Sequence, residues 1–185
     1  MQRRVIGMGV LAAVLTAAAV LAWVDVLTDD RRAPVAAAVA QVRYAPPKVE
    51  VADDVTDIDP AEVAAVVDQA VNDPRGWRTN MDGFTVRIVQ PGYRGVNGIG
   101  QLVGAAWADE QLAVVTADAW MRVGPRFAAV GGTLDMQRAH IVLHELGHLI
   151  GHDHESCPAP GQPAPLMRTA TYALDGCTLN IWPNP

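Results

Sequence analysis

The 185-residue sequence has no internal repeats and no excess of positive charge. The second absence argues against one class of function, the binding of nucleic acid. The formal net charge at pH 7 is −6. A domain that binds nucleic acid through phosphates needs a basic face, and the sequence has no basic stripe. We therefore predict no nucleic-acid partner. The length allows one domain with a full hydrophobic core and is too short for two domains of ordinary size.

Charged residues are also missing between Val5 and Val24, a run of 20 residues rich in Ala, Val and Leu. A helix of that length rises about 30 Å, the thickness of the hydrocarbon core of a bilayer. Arg3 and Arg4 precede the run and favour a cytoplasmic N-terminus. Residues 1–28 are therefore predicted to be an uncleaved signal anchor, with a cleaved signal peptide as the alternative. Either one exports the remaining chain, which is secreted or held at the extracellular face of the membrane.

The sequence has only two cysteines, Cys157 and Cys177, and they form no CxxC redox pattern. In an exported domain an even number of cysteines predicts a disulfide, and two free thiols are the alternative. A disulfide closing a loop of this length stabilises the folded state by roughly 3 kcal/mol. It would hold in place the segment that follows the candidate metal site described below.

Prolines mark a boundary at Pro46-Pro47, where extended backbone is favoured. Residues 29–47 are predicted to be a linker or short pro-segment with a short helix at 35–42. Residues 48–185 are predicted to form one domain.

Within that domain the hydrophobic periodicity predicts both helices and strands. Asp59-Pro60 with Glu62 is a strong helix start, and this helix should stop by Asp73. A second helix is predicted from about 134 to 150, with Thr133 as its N-cap. Alternating or β-branched stretches predict strands, and these fall at 48–51, 84–89, 112–116 and 120–123.

One run in the second helix carries ligand-type residues in the pattern H-E-x-x-H-x-x-G-x-x-H. His144 and His148 project from the same helix face, so two imidazoles can reach one metal ion. Gly151 permits a left-handed turn, which lets His154 bring a third nitrogen. Glu145 is placed to take a proton from a metal-bound water. The pattern predicts one zinc ion held by the three histidines, with Glu145 as general base.

Other titratable residues near this run are given lesser roles. His140, one turn before the first ligand, is interpreted as a supporting or surface histidine. His152 is assigned to the surface. Asp153 is a candidate partner for a ligand imidazole, and Glu155 is a weaker rival for the position of third ligand.

The run 144–154 resembles the zinc signature of the metzincin metallopeptidases, which also place a methionine in a tight turn beneath the metal. Met167, thirteen residues after His154, is the matching position. Residues 59–185 are in addition similar to a domain-of-unknown-function family of secreted actinobacterial proteins, regarded as metallopeptidase-like. The shared segments include the run at 73–77 and the zinc motif. The resemblance implies an α+β zincin fold. A small twisted sheet would pack on an N-terminal helix and a zinc-binding helix, before an irregular C-terminal part with a Met-turn.

The same resemblance implies a zinc-dependent endopeptidase that acts on peptide or protein substrates through a zinc-bound water. Tyr172 is interpreted as a core or loop residue rather than an oxyanion donor. The strand at 112–116 is predicted to form the edge of the substrate cleft. Two alternatives stay open: a non-catalytic, zinc-stabilised extracellular binding domain, and a hydrolase of peptidoglycan cross-links. The oligomeric state is not predicted.

Overall fold

The structure is a computed structural model that describes residues 42–169 and 173–185. Residues Tyr44–Pro185 form one unit. The predicted membrane segment at 1–28 and Tyr172 lie outside the described residues, as does nearly all of the predicted helix at 35–42. In the part of the chain that is described, no helix has the length and apolar character needed to cross a bilayer.

A four-stranded mixed sheet forms the centre of the domain. Its strands are β1 (Lys48–Val51), β2 (Thr85–Val89), β3 (Gly104–Trp107) and β4 (Leu112–Thr116). Their spatial order is β1-β2-β4-β3. The first three in this order run parallel, and β3 pairs antiparallel with β4 at one edge of the sheet. The strands predicted at 48–51 and 112–116 are confirmed, and the strand predicted at 84–89 begins one residue later.

Within residues 42–169 and 173–185, four α-helices accompany the sheet: α1 (Pro60–Asn72), α2 (Ala117–Met121), α3 (Pro125–Ala129) and α4 (Leu134–Leu149). The predicted caps of the two long helices are confirmed. The Asp59 carboxylate accepts from the N–H of Ala61 at 2.9 Å, and the Thr133 hydroxyl accepts from the N–H of Met136 at 3.3 Å. These side chains satisfy backbone donors that have no partner within the helix. Helix α1 packs against β1 and α4, while α4 packs against β3 and β4.

The main hydrophobic core lies between the sheet and these two helices. Val63 and Val67 of α1 and Ile141 and Leu146 of α4 are almost fully buried there. Because side chains alternate along a strand, β4 sends Ala113 and Val115 into this core. Leu112 and Val114 belong to a smaller cluster. The fold is therefore a mixed α and β domain whose sheet supports the middle of α4.

Two of the strand predictions are corrected by the structure. The strand predicted at 120–123 is wrong, because Ala117–Met121 forms α2 and its Trp120 is buried in the core. The prediction that 112–116 forms the cleft edge is also wrong, because β4 is paired on both sides. The edge strand beside the cleft is β3, which the sequence did not indicate. Its Gly-Ala-Ala-Trp sequence is short and has no β-branched residue.

Candidate metal centre

Helix α4 carries the first two histidines of the motif, and its end reverses the chain toward them. The N–H of His152 donates to the carbonyl of Gly147 at 2.9 Å. Gly151 has a φ of +93°, a conformation that residues with a side chain rarely adopt. This reversal brings His154 back beside His144 and His148, so the three predicted ligands lie together.

The three imidazoles converge through their Nε2 atoms. His154 Nε2 lies 3.2 Å from His148 Nε2 and 3.3 Å from His144 Nε2. The Nδ1 of His144 donates to the carbonyl of Leu166 at 3.0 Å, and the Nδ1 of His148 donates to the carbonyl of His152 at 2.8 Å. A carbonyl only accepts, so both Nδ1 atoms carry the proton and both Nε2 atoms present a lone pair.

The spacing of these lone pairs suits a metal ion. Nitrogens bound at about 2.1 Å in a tetrahedron lie about 3.4 Å apart, close to the separations found here. The backbone carbonyls that orient two of the rings are common partners of metal-binding histidines. The described residues therefore offer one site, formed by His144, His148 and His154, that could hold a metal ion.

The surroundings favour the neutral form of two ligand imidazoles, those of His144 and His154, and neutral imidazole is the form that binds metal. Burial lowers the pKa of His144 to about 4, against the opposing effect of its hydrogen bond to Leu166. Burial likewise lowers the pKa of His154, helped by the neighbouring His148. These two histidines thus need little deprotonation before they bind a cation near pH 7.

A cleft of about 650 Å³ lies over the three histidines. One wall consists of residues 99–106, which include most of β3, and another consists of residues 124–127. The floor consists of residues of α4, most of them buried, and Arg168 and Thr169 also line the cleft. Most of the lining is apolar, including Leu102 as a largely exposed residue. Clefts of this size with a few converging polar groups are typical ligand-binding sites.

Glu145 lies in this cleft beneath the start of β3. Its carboxyl group is buried, and burial raises its pKa to about 8. Gly104 in the wall lies close to this carboxyl group, since an added Cβ atom there would lie 2.7 Å from Glu145 Oε1. Glycine at this position therefore leaves the space that the carboxylate occupies.

Met167 packs against α4 at Gly147, between the first two histidines in the chain. It is almost fully buried, and a Cβ atom on Gly147 would lie 2.5 Å from its Sδ. The same Cβ atom would lie 2.8 Å from Trp77 Cζ2. Trp77 also donates from Nε1 to the carbonyl of Leu143 at 2.8 Å and stacks on the ring of His152 at 4.2 Å. Gly147 therefore allows two large side chains to support the helix between the first two histidines.

The segment after the third histidine is tied back to the metal centre. The N–H of Glu155 donates to the carbonyl of Met167 at 2.9 Å. Cys157 and Cys177 form the predicted disulfide. Backbone hydrogen bonds such as that from Thr178 to the carbonyl of Gln162 connect the two sides of this loop. These contacts fix the segment after the third histidine relative to Met167 and to the C-terminal part of the chain.

The residues given lesser roles take definite positions. His140 is buried rather than on the surface; it lines the cleft, and its ring centroid lies 5.6 Å from that of His144. His152 is exposed, as predicted. Asp153 and Glu155 are also exposed. The Nδ1 partners of the first two ligands are backbone carbonyls rather than Asp153.

Several residues of the site are not predicted as part of it from the sequence. Gly104 and Gly147 provide close contacts, Trp77 supports the helix, and Arg168 lines the cleft. A glycine inside a helical pattern indicates close packing, so Gly147 carried a usable signal. The other three depend on partners far away in the chain.

Comparison with known proteins places part of the chain in context. Residues 94–184 match the profile of a family described as "Protein of unknown function (DUF3152)". This agrees with the predicted similarity to a domain-of-unknown-function family, and the match contains the motif and both cysteines. The chain is also similar to the endoribonuclease YbeY of Roseiflexus sp. (strain RS-1), with 30% identity over 89 residues. That alignment covers 42% of this chain and 56% of the relative, so the chain spans little more than half of its length. No solved structure matches the chain significantly.

Proposed function

We propose that the protein is an exported or membrane-anchored, zinc-dependent endopeptidase. The observation that carries this proposal is the convergence of three histidine Nε2 atoms beside a buried glutamate in one cleft. A structural zinc site is usually closed by four protein ligands, whereas three ligands leave a position open for chemistry. Glu145 supports the catalytic interpretation further, because a purely structural site has no need of a buried carboxyl group there.

His144, His148 and His154 would hold the zinc ion. When bound, zinc supplies a Lewis acid that polarises a carbonyl and makes water more acidic. The chain contributes the orientation of the ligands. The carbonyls of Leu166 and His152 hold two imidazoles in the tautomer that directs Nε2 inward. Met167 supports the helix from below, which limits movement of the first two ligands.

Glu145 is the proposed general base. In the absence of a cation its pKa is about 8, because burial disfavours the carboxylate. A nearby cation favours the charged form and lowers this pKa, so the base is generated together with the loaded site. The carboxylate then takes a proton from the attacking water and passes it to the leaving amine. Gly104 has no side chain, so it leaves space for the carboxyl group beside the edge strand.

The edge strand β3 is the proposed substrate platform. Among the described strands it pairs only with β4, and Gly104, Ala105 and Ala106 line the cleft. An extended peptide can add to such an edge through main-chain hydrogen bonds. This arrangement would lay a substrate carbonyl across the histidines. The small side chains of the strand leave room for the peptide.

The test uses the full chain in mild detergent, first stripped with a chelator and then loaded with one equivalent of zinc. Cleavage of a mixed peptide library is measured by mass spectrometry for wild type and for Glu145→Ala. Glu155→Ala is the matched control, since it removes an exposed carboxylate close to the third ligand. We expect zinc-dependent cleavage by wild type and the control, and a loss of at least about 100-fold in Glu145→Ala.

Equal cleavage by wild type and Glu145→Ala would show that the proposed base is wrong. If all three proteins hold one zinc ion and none cleaves a peptide, the non-catalytic binding domain is the better interpretation. Cleavage of cross-linked peptidoglycan fragments but not of linear peptides would favour the cross-link hydrolase.

Cleavage of RNA is a second candidate, favoured by the similarity to a protein named as an endoribonuclease. It requires the cleft to accept a phosphodiester in place of a peptide. The net charge of −6 works against this candidate, because phosphate contacts depend on positive charge. A labelled single-stranded RNA incubated with the same zinc-loaded proteins tests it. Glu145-dependent cleavage of that RNA without peptide cleavage would replace the peptidase proposal.

A further inference from the structure

Arg168, directly after Met167, is a buried cation that lines the cleft. The residue is 6% exposed. Its Nη2 donates to the carbonyl of Ala173 and to the carboxylate of Asp175. Its Nε and Nη1 are also buried and have no hydrogen-bond acceptor within residues 42–169 and 173–185. Two donor nitrogens of one buried guanidinium are therefore left without an acceptor in the described part of the chain.

Such an arrangement is unfavourable unless something completes it. A buried N–H without an acceptor destabilises the folded state, and more so when the group is charged. Asp175 compensates the charge only in part, because its side chain is 71% exposed and so lies largely in water. A ligand with an acceptor oxygen in the cleft would supply what these residues do not.

The ionisable groups that line the cleft favour an anion. Besides the histidines, they are Arg126, Arg168 and Glu145. The two arginines outnumber the one carboxyl group, so these side chains make the cleft positive even when Glu145 is charged, although the whole chain carries −6. A local positive potential in an apolar cleft attracts and orients a negatively charged group.

A carboxylate suits these surroundings better than the phosphates of a nucleic acid. Nucleic-acid binding needs several cations along a groove, whereas the described lining of this cleft has a single buried arginine and apolar walls. A guanidinium nitrogen without an acceptor in the described part of the chain can hold one carboxylate oxygen, because a hydrogen bond between charged groups is roughly twice as strong as one between neutral groups.

We propose that Arg168 binds a carboxylate of the substrate through Nε or Nη1, so that the cleft selects acidic peptides. The carboxylate belongs to an aspartate or glutamate side chain or to the C-terminus of the peptide. This inference rests on the proposed peptidase function, because it names the substrate class of the same cleft. Arg168 is in this view a specificity residue, separate from the metal ligands and the base.

The test measures binding without turnover, by calorimetry on zinc-loaded full-length Glu145→Ala protein. The probes are amidated heptapeptides in which one position at a time carries Glu or Gln, and the same peptides with a free C-terminus. We expect one Glu position, or the free C-terminus, to bind roughly 10- to 100-fold more tightly than its neutral counterpart. Which arm shows the preference identifies the source of the carboxylate.

Arg168→Gln should abolish this preference, and Arg168→Lys should retain part of it because the positive charge remains. Asp175→Asn is the matched control, since it removes the ion pair on the other side of the same guanidinium. It should keep the preference. Equal loss in Asp175→Asn and Arg168→Gln would show that Arg168 only braces the loop, which overturns the inference.

The inference can be tested even if Arg168→Gln does not fold, because the Glu145→Ala protein is itself measured with charged and neutral peptides. Equal affinity for the two kinds of peptide would overturn the inference. So would Arg168-dependent binding of a single-stranded RNA in place of the peptides. Hydrolysis by wild type is recorded separately. A preference for acidic peptides without any hydrolysis would contradict the peptidase proposal and support the Arg168 binding site. Hydrolysis without that preference would support the peptidase proposal and contradict the Arg168 binding site.

Discussion

Replacing Gly104 by alanine should test how closely the edge strand controls the proposed base. A Cβ atom at this position would lie 2.7 Å from Glu145 Oε1, 2.9 Å from Ile141 Cγ2 and 3.0 Å from Glu145 Cγ. Carbon contacts this short are repulsive, so either the strand or the glutamate must move. Gly104 does not have a positive φ, so the cost comes from crowding and not from the backbone.

Overpacking of this kind costs about 1–3 kcal/mol of unfolding free energy. A shift of the base by about 1 Å would lower the catalytic rate by roughly 100-fold. The zinc ligands should still bind, since the carbonyls that orient two of them belong to Leu166 and His152. We therefore expect lower stability and much lower activity with one zinc ion retained. Urea unfolding, peptide hydrolysis and zinc content measure the three quantities.

Gly83→Ala is the matched control, because a Cβ atom there would meet only Gln111 Nε2, at 4.0 Å. A double-mutant cycle makes the test sharper. Removing the glutamate side chain beyond Cβ in Glu145→Ala eliminates two of the three short contacts of Gly104→Ala. The stability cost of Gly104→Ala should then fall by on the order of 1 kcal/mol in that background. Additive effects, or a Gly104→Ala protein as stable and active as Gly83→Ala, would refute the reasoning.

Three further predictions concern the support of the site and its charge. Gly147→Ala should lower the unfolding free energy by about 1–3 kcal/mol and weaken zinc binding, because its Cβ would lie 2.5 Å from Met167 Sδ. Urea unfolding measures the first effect and competition with a chelator measures the second. If both values are unchanged, the role given to Met167 is wrong. Replacing Cys157 and Cys177 together by alanine should cost about 3 kcal/mol in the same unfolding assay; a variant as stable as the oxidised wild type would contradict this. In the metal-free chain, the pKa of Glu145 is raised from 4.5 to about 8, so its contribution to stability is complete below pH 4.5 and is lost as the pH rises through 8. The difference in unfolding free energy between wild type and Glu145→Gln, followed from pH 5 to 9, should fall by a few kcal/mol, and a constant difference would show that the carboxyl group is not buried as described.

The local parts of this fold follow from local patterns. The caps at Asp59 and Thr133 and the apolar periodicity of α1 and α4 place both long helices within a residue or two. The same holds for the strands β1 and β4, which are rich in β-branched residues. In each case the deciding interactions lie within one or two turns of helix, or along a single strand, so the sequence is sufficient.

The errors arose where distant segments decide the outcome. Trp120 and its neighbours were predicted as a strand, but their burial between the sheet and α4 is compatible with the short helix α2. The strand β3 is defined by its pairing with β4 and has little β-propensity of its own. The order of strands in the sheet also depends on pairings across tens of residues, which is why the cleft edge was assigned to the wrong strand.

The sequence by itself determined which residues could bind a metal ion, because the spacing of His144 and His148 and the glycine before His154 are local properties of a helix and its end. Only the tertiary structure decided what surrounds them. Pairing of β3 with β4 brings Gly104 over the base, and burial raises the pKa of Glu145. The folding of the loop that the Cys157–Cys177 disulfide closes places Arg168 in the cleft. These features depend on close packing between segments that are far apart in the chain, and no local pattern of residues encodes that packing.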